Sequence, residues 1–419
     1  MRIAIITTLC LLLGLAGCGG DGNRTTLRVA LWSSGDELQI NTKMMNEFKE
    51  KNPDINLKVS FIPSGNYRDK ILTNLAGNAG PDVFLLGNGD FPAFCEGKVL
   101  KPIDDLAEKS KDFSLKDFHP KALAPFQRYG KTYAVPRDIL PMSMLFYNKI
   151  LFDKAHVAYP TLKWTMDDLI AAATKLTVRD GDRTKIYGYY PTSKLVLNCA
   201  YGGNLVNSIE NPTKSTVTDP RFKKGIELYY NMVYRDKIAP PDNDSRVLNG
   251  NPLDMFRSGK AAMMSGGVYL LTFFKDQRLV DLGYTLIPPV PGGKMTWTAD
   301  SGAYCINARS KHPEAAWRFV KFITGEKAQE KMAKIDYLVP SRLALQKRMY
   351  IDSKDTKYGD RKIMIQSIDD VVQYPYTPKL GEVQTALGSE IDKFYLGQQD
   401  LDTTLSKAQK SMDKVLQRK

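Results

Sequence analysis

At 419 residues the chain is too long for one ordinary core and calls for about two to four compact units. Hydrophobic residues at 43% and charged residues at 25% exclude a chain that is disordered throughout. The 59 Lys and Arg against 46 Asp and Glu give a net charge of +13, which invites an acidic partner (nucleic acid, an anionic membrane, an acidic ligand) without choosing among them.

Arg2 is followed by an uncharged stretch from Ile3 to Gly17 that ends in Leu15-Ala16-Gly17-Cys18. This reads as a secretory signal over residues 1–17, short of the roughly 20 residues that a membrane-spanning helix needs. The small residues before Cys18 resemble the lipobox of bacterial lipoproteins, which implies acylation of Cys18; the alternative is an ordinary signal with a chance cysteine. Removal of the leader takes Arg2 with it and lowers the net charge from +13 to +12, so the basic bias belongs to the exported part. Cys95, Cys199 and Cys305 are sparse and odd in number, which predicts buried thiols and no disulfide framework or zinc site.

Residues 18–26 read as a tether, and the folded part opens with a strand at Leu27–Trp32 and the turn Ser33-Ser34-Gly35-Asp36. Ile40, Met44 and Phe48 at four-residue spacing predict a helix closed by Asn52-Pro53. A strand at Asn56–Ile62, a helix at Tyr67–Leu75 and an apolar strand at Asp82–Leu86, suited to parallel pairing, complete an α/β grammar. The alternation returns with helices at Trp164–Leu176 and Arg221–Tyr234, strands at Gly283–Val290 and Asp300–Ile306, and a helix after His312-Pro313. Leu401, Leu405, Ala408, Met412, Val415 and Leu416 predict a terminal amphipathic helix.

Catalytic signatures fail: HExxH, GxSxG and GxxxxGK[ST] do not occur, and His119, His156 and His312 read as surface turn residues. Asp242-Asn243-Asp244 starts like a calcium loop but has Arg246 at a ligand position. Asp104-Asp105, Asp167-Asp168 and Asp369-Asp370 are adjacent pairs that point apart in a helix, and Thr165 to Asp168 reads as a capping box. The cations are scattered, which argues against nucleic acid.

An ordered series of landmarks then carries a resemblance. It runs through Trp32 to Glu37, Gly80-Pro81-Asp82-Val83, Gly89-Asp90-Phe91, Gly130 to Pro136, Phe146-Tyr147-Asn148-Lys149, Gly202-Gly203, Phe256 to Met263, Pro313 to Trp317, and Val339-Pro340-Ser341-Arg342. With these the chain resembles the extracellular solute-binding lipoproteins of bacterial ABC transporters, in the carbohydrate-binding branch of family 1 that includes maltose-binding protein. The resemblance implies an α/β, two-lobed, periplasmic-binding-protein-like fold of type II, with a ligand cleft between lobes and several hinge crossovers. Lobe 1 would hold residues 27–137 and 288–335 and lobe 2 residues 138–287 and 336–419, with crossings near Arg137, Ile287 and Asp336.

The implied function is capture of a mono- or oligosaccharide and delivery to ABC permease subunits, by a non-enzymatic monomer anchored to the bacterial membrane through Cys18, with no cofactor, no metal and no nucleic acid. A non-sugar solute (polyamine or metal chelate) in the same fold, or an exported glycan-degrading enzyme, are the competing readings. A sugar needs polar partners for its hydroxyls and rings for its C–H faces. The candidate ligand residues are Trp32, Ser34, Asp36, Glu37, Asn88, Asp90, Phe91, Arg137, Asp138, Tyr201, Gly202, Gly266, Tyr269, Asp300, Ser301, Arg342 and Tyr374, with Trp297 and Tyr376 as further aromatic candidates. Two departures from relatives stand out: Val268-Tyr269 where Trp often follows the glycine, and aliphatic Leu380 where an aromatic platform is common. Arg137 and Arg342 would suit a uronate.

Overall fold

The computed structural model describes residues 24–418 apart from 34, 193, 242–251, 275–279, 294–298, 335–338, 355–358, 370 and 372–374. The leader, Cys18, Ser34, the Asp242 to Arg246 loop, Trp297, the crossing near Asp336 and Tyr374 therefore lie outside the described residues. Two five-stranded sheets organise two lobes. In the first, Ile55–Ile62, Thr25–Trp32 and Val83–Gly87 run parallel, and Gly302–Ile306 enters antiparallel between Val83–Gly87 and Ala134–Pro136. The apolar run at 83–86 is buried on both faces, as a strand inside a covered sheet requires, but one of its neighbours is antiparallel.

The second sheet runs in the order Leu282–Leu286, Met144–Asn148, Ala261–Gly266, Arg183–Tyr190, Val178–Asp180. Each sheet has its own core. Phe48, Phe84, Trp317 and Phe319 belong to the first, and Phe152, Leu169, Phe222 and Met412 to the second. The helix Gly35–Lys51 buries Met44 and Phe48 at the expected spacing. Met166–Leu176 starts at a capping box in which Thr165 Oγ1 accepts from Asp168 N and Asp168 accepts from Thr165 N. The terminal helix Leu401–Gln417 buries Leu405, Ala408 and Met412 and packs on a helix at Leu380–Tyr395 that the sequence reading does not anticipate. Cys95, Cys199 and Cys305 are free and buried.

Three strand segments pass side by side between the lobes. Leu140–Pro141 pairs antiparallel with Ala299–Asp300, Asp138 bridges to Pro340, and Ile139 N donates to Val339 O at 3.0 Å. The return crossing thus sits at Ala299–Asp300, later than the expected Ile287. Residues before it stay with the second lobe: Val290 is in that core, and Pro289 O accepts from Met166 N at 2.7 Å. His119 also departs from expectation. It is buried, and its Nδ1 accepts from Lys121 N at 3.2 Å to cap a short helix at Pro120–Leu123.

Candidate ligand cleft

The opening strand ends at Trp32 and the third at Gly87, so Trp32 and the Asn88-Gly89-Asp90 turn emerge at the same edge of the first sheet. The interlobe crossover brings Arg137, Asp138, Leu140, Asp300, Ser301 and Gly302 to that edge, and the helix Leu380–Tyr395 supplies Leu380 and Gln384 from the other lobe. Together they line a cleft of about 440 Å3. Carboxyl ends of strands are where a wound sheet offers unoccupied backbone and loop positions to a ligand.

A buried ion triad fixes one wall. Arg137 Nη1 donates to Glu37 Oε1 at 2.8 Å and its Nε to Asp138 Oδ2 at 2.6 Å, with Arg137 5%, Glu37 2% and Asp138 0% exposed. The Gly302 N–H donates to Asp138 Oδ1 at 2.8 Å, Ser301 Oγ to Asp138 O at 2.6 Å, and the Arg137 N–H to Gly302 O at 2.7 Å. The Asn88 N–H donates to Ser301 O at 3.0 Å, which ties the third strand to the same network. The guanidinium lies 5.5 Å over the Trp32 ring, and Tyr67 meets that ring edge-on at 5.0 Å. Trp32 is thereby held as a platform whose half-buried ring borders the cleft. A Cβ at Gly302 would come into van der Waals contact with Trp32 Cζ2 at 3.4 Å.

Asp300 faces the cleft without a side-chain hydrogen bond among the described residues. Burial, reinforced by the negative charge of Asp138, pushes its carboxyl up to about 6. Burial likewise raises the Tyr269 phenol, with Asp300 nearby adding to the shift. Tyr269 and Met142 fill the space where a side chain on Gly267 would go, at 2.4 and 2.6 Å. Asp90 is part exposed and pairs with Arg68 Nε at 2.8 Å. A narrow recess shares Asn88, Gly89, Asp300 and Ser301 with the cleft and adds Lys121, Ile139 and Tyr376.

Of the residues expected at a ligand, the structure brings Trp32, Asn88, Asp90, Arg137, Asp138, Asp300 and Ser301 to one cleft and puts Tyr269 beside Asp300. The other candidates among the described residues go elsewhere. Phe91 is 1% exposed and packs edge-on against Phe126 at 5.5 Å, because its helix turns it into the first core. Glu37 is sealed beneath the wall against Arg137. Arg342 stacks 4.5 Å over Phe118, pairs with Asp117 at 3.2 Å and donates to Thr324 O, so it braces the first lobe and does not meet the cleft. Asp36 is exposed in the first turn of its helix, Tyr201 packs on the second core, Gly202 makes a turn at φ 84°, and Gly266 ends a strand under Leu270 and Phe146. Arg137, expected to be available to a uronate, spends its charge on two carboxylates. Leu380, singled out as an aliphatic residue where relatives often carry an aromatic platform, does line the cleft, whereas Gln384 and Lys121 escape the sequence reading; the three-to-four spacing of Leu380, Val383, Leu387 and Ile391 was the available signal for the helix that carries Gln384.

A family model described as bacterial extracellular solute-binding protein matches residues 34–330. The diacetylchitobiose binding protein of Streptomyces coelicolor is 26% identical over 371 residues, 83% of each chain. The mannitol-binding protein of Pseudomonas aeruginosa is 23% identical, with 99% of this chain and 98% of that one covered. Among solved structures, an ABC substrate-binding protein of Listeria monocytogenes in complex with cycloalternan superposes with a TM-score of 0.83 at 25% identity, over 94% of this chain and 100% of that one.

Proposed function

Since the chain belongs to the bacterial extracellular solute-binding protein family, we propose that it captures a neutral mono- or oligosaccharide between its lobes and delivers it to the permease of an ABC importer, without chemical turnover. The observation that carries the reading is the cleft itself: a braced Trp32 ring beside Asp300, Asn88, Asp90 and Gln384 offers an apolar face with hydroxyl acceptors and amides around it. That pairing suits a sugar's C–H face and hydroxyls. Names of the relatives (diacetylchitobiose, mannitol, cycloalternan) support the same ligand class.

Neutrality follows from charge. Arg137 is compensated by Glu37 and Asp138, and Asp90 by Arg68, which leaves the Asp300 carboxylate without an ion-pair partner among the described residues of the cleft, with Lys121 in the adjoining recess. An anionic sugar would meet the Asp300 carboxylate in a cleft whose arginine is already engaged by two carboxylates. The lobes meet through the segments at 137–141, 299–301 and 339–341, which would serve as hinges for closure. The protein acts as a monomer held to the membrane by acylated Cys18, with the expected tether of residues 18–26 shortened at its far end because the first strand already starts at Thr25.

Isothermal titration against neutral, amino and acidic sugars tests the assignment. A neutral saccharide is expected to bind with Trp32→Ala abolishing most of the affinity; binding of a polyamine or metal chelate with no response to any sugar would refute it.

A further inference from the structure

At the opposite end of the first sheet from the cleft lies a second concavity, of about 380 Å3. Its wall includes Thr26 and Arg28 from the opening strand, Asp82, and the turn Arg309-Ser310-Lys311. Arg28, Arg309 and Lys311 are exposed, and none of the three forms an ion pair among the described residues. Arg309 donates to the side-chain carbonyl of Asn78. Asp82 is already engaged, its Oδ2 accepting from Arg28 N at 2.9 Å and its Oδ1 from Ser310 Oγ at 2.6 Å. Three cations therefore surround one satisfied carboxylate in a pocket the size of a small polar head group. Like charges held together repel one another until an anion enters.

The pocket's place in the chain says which anion. Thr26 lies in its wall, and Cys18 is seven residue steps from Thr25, so the chain can extend at most about 25 Å between them. With Cys18 acylated, this end of the lobe is confined to the bilayer's surface layer, within reach of its negative potential. We propose that the pocket takes the phosphate of an anionic phospholipid head group and docks the first lobe on the membrane. The proposal rests on the reading of Cys18 as the lipid anchor. Arg28 and Trp32 stand toward opposite ends of one strand, so a lobe docked by this pocket points its cleft away from the bilayer. Docking would hold the protein in an orientation that samples the exterior for solute.

The test uses the full chain carrying Cys18→Ser, which cannot be acylated, and its partition onto vesicles of phosphatidylcholine with and without one-third phosphatidylglycerol. The apolar leader contributes equally in every arm, so the readout is the ratio between the two vesicle types. Removing two cations that contact an anionic surface should lower that ratio about 30-fold in the Arg309→Gln/Lys311→Gln variant. A control variant on the second lobe, Lys163→Gln/Lys175→Gln, makes the same charge change on exposed residues and should leave the ratio unaltered.

Equal loss in both variants would mean diffuse attraction and overturn the pocket, as would no loss in either. Titration with inorganic phosphate separates the sources. Millimolar phosphate that binds the parent and not the variant, with vesicle partition unchanged between them, would make free phosphate the ligand and overturn the head-group assignment. Unaltered sugar affinity in each variant confirms its fold. The native protein's mass reports on Cys18 independently: an unacylated Cys18 removes the anchor reading whatever the vesicles show.

Discussion

Arg137 is the residue whose role the structure changes most, and its replacement separates two accounts of the cleft. As a free ligand group, Arg137 could be replaced at little cost to folding, with the loss confined to acidic sugars. As the centre of a sealed triad, its replacement by Met leaves Glu37 and Asp138, 2% and 0% exposed, as neighbouring buried carboxylates, with the Gly302 N–H still serving Asp138. Removing one partner of a buried ion pair costs about 3–5 kcal/mol, because the remaining charge stays desolvated. At roughly 2–4 °C per kcal/mol for a unit the size of one lobe, the melting temperature should fall by about 6–20 °C. Replacing Glu37 as well, in Glu37→Met/Arg137→Met, removes one of the stranded charges and should recover a substantial part of that loss. Thermal melts followed by circular dichroism measure both, and titration with galacturonate and a neutral sugar measures binding in parallel. A single variant that melts within 2 °C of the parent and loses affinity for galacturonate alone would refute the triad argument.

The acid titration of Asp300 gives a second expectation. Its folded value of about 6 lies above that of an unfolded aspartate, so the folded state holds the proton more tightly and stability falls as pH rises from about 4 to 6. The fall amounts to roughly 3 kcal/mol, and Asp300→Asn should flatten melting curves across that window. A sugar hydroxyl donating to the ionised carboxylate would expel the proton, so the binding enthalpy near pH 6 should vary with the buffer's heat of ionisation in the parent and not in Asp300→Asn. Trp32→Ala should weaken sugar binding by about thirtyfold, while Trp32→Phe keeps a ring against Tyr67 and loses less, as measured by titration. Gly267→Ala forces the Tyr269 ring and Met142 aside and should lower affinity without moving the melting temperature of the first lobe. Thr165→Ala removes an exposed helix cap and should cost about 1 kcal/mol in denaturant titration, with binding unchanged.

Local signals carried much of the fold. The spacing of Met44 and Phe48, the capping box at Thr165 and the apolar run at 83–86 each report on contacts within a few residues, and each appears as expected. Insertion of Gly302–Ile306 beside Val83–Gly87 joins segments more than two hundred residues apart, and nothing in either segment names its partner. The cleft shows the same division. Trp32, Asn88 and Asp90 stand at or just after strand ends, and strand ends are readable; Gln384 comes from a helix whose pattern reports its buried face and not the exposed residue that lines the cleft. Phe91 looked like a platform because of its neighbours in sequence, whereas the helix after Asp90 turns its ring inward. Arg137 looked free because Glu37 lies a hundred residues away.

Charge shows why a sum over the chain misleads about a site. The net value of +13 suggests an acidic ligand, yet the cleft is walled by Asp90, Asp138 and Asp300, with its arginine already neutralised. Cations without carboxylate partners among the described residues gather instead at the other end of the same sheet, at Arg28, Arg309 and Lys311. A sugar-binding cleft gains from acceptors and loses from unpaired cations, since hydroxyls donate to carboxylates while a bare guanidinium would demand an anion. A membrane-facing surface has the opposite need. The same basic excess can therefore attract the bilayer without selecting the solute, provided the two regions are kept at opposite ends of the lobe, and the strand from Arg28 to Trp32 separates them by about 13 Å of extended chain.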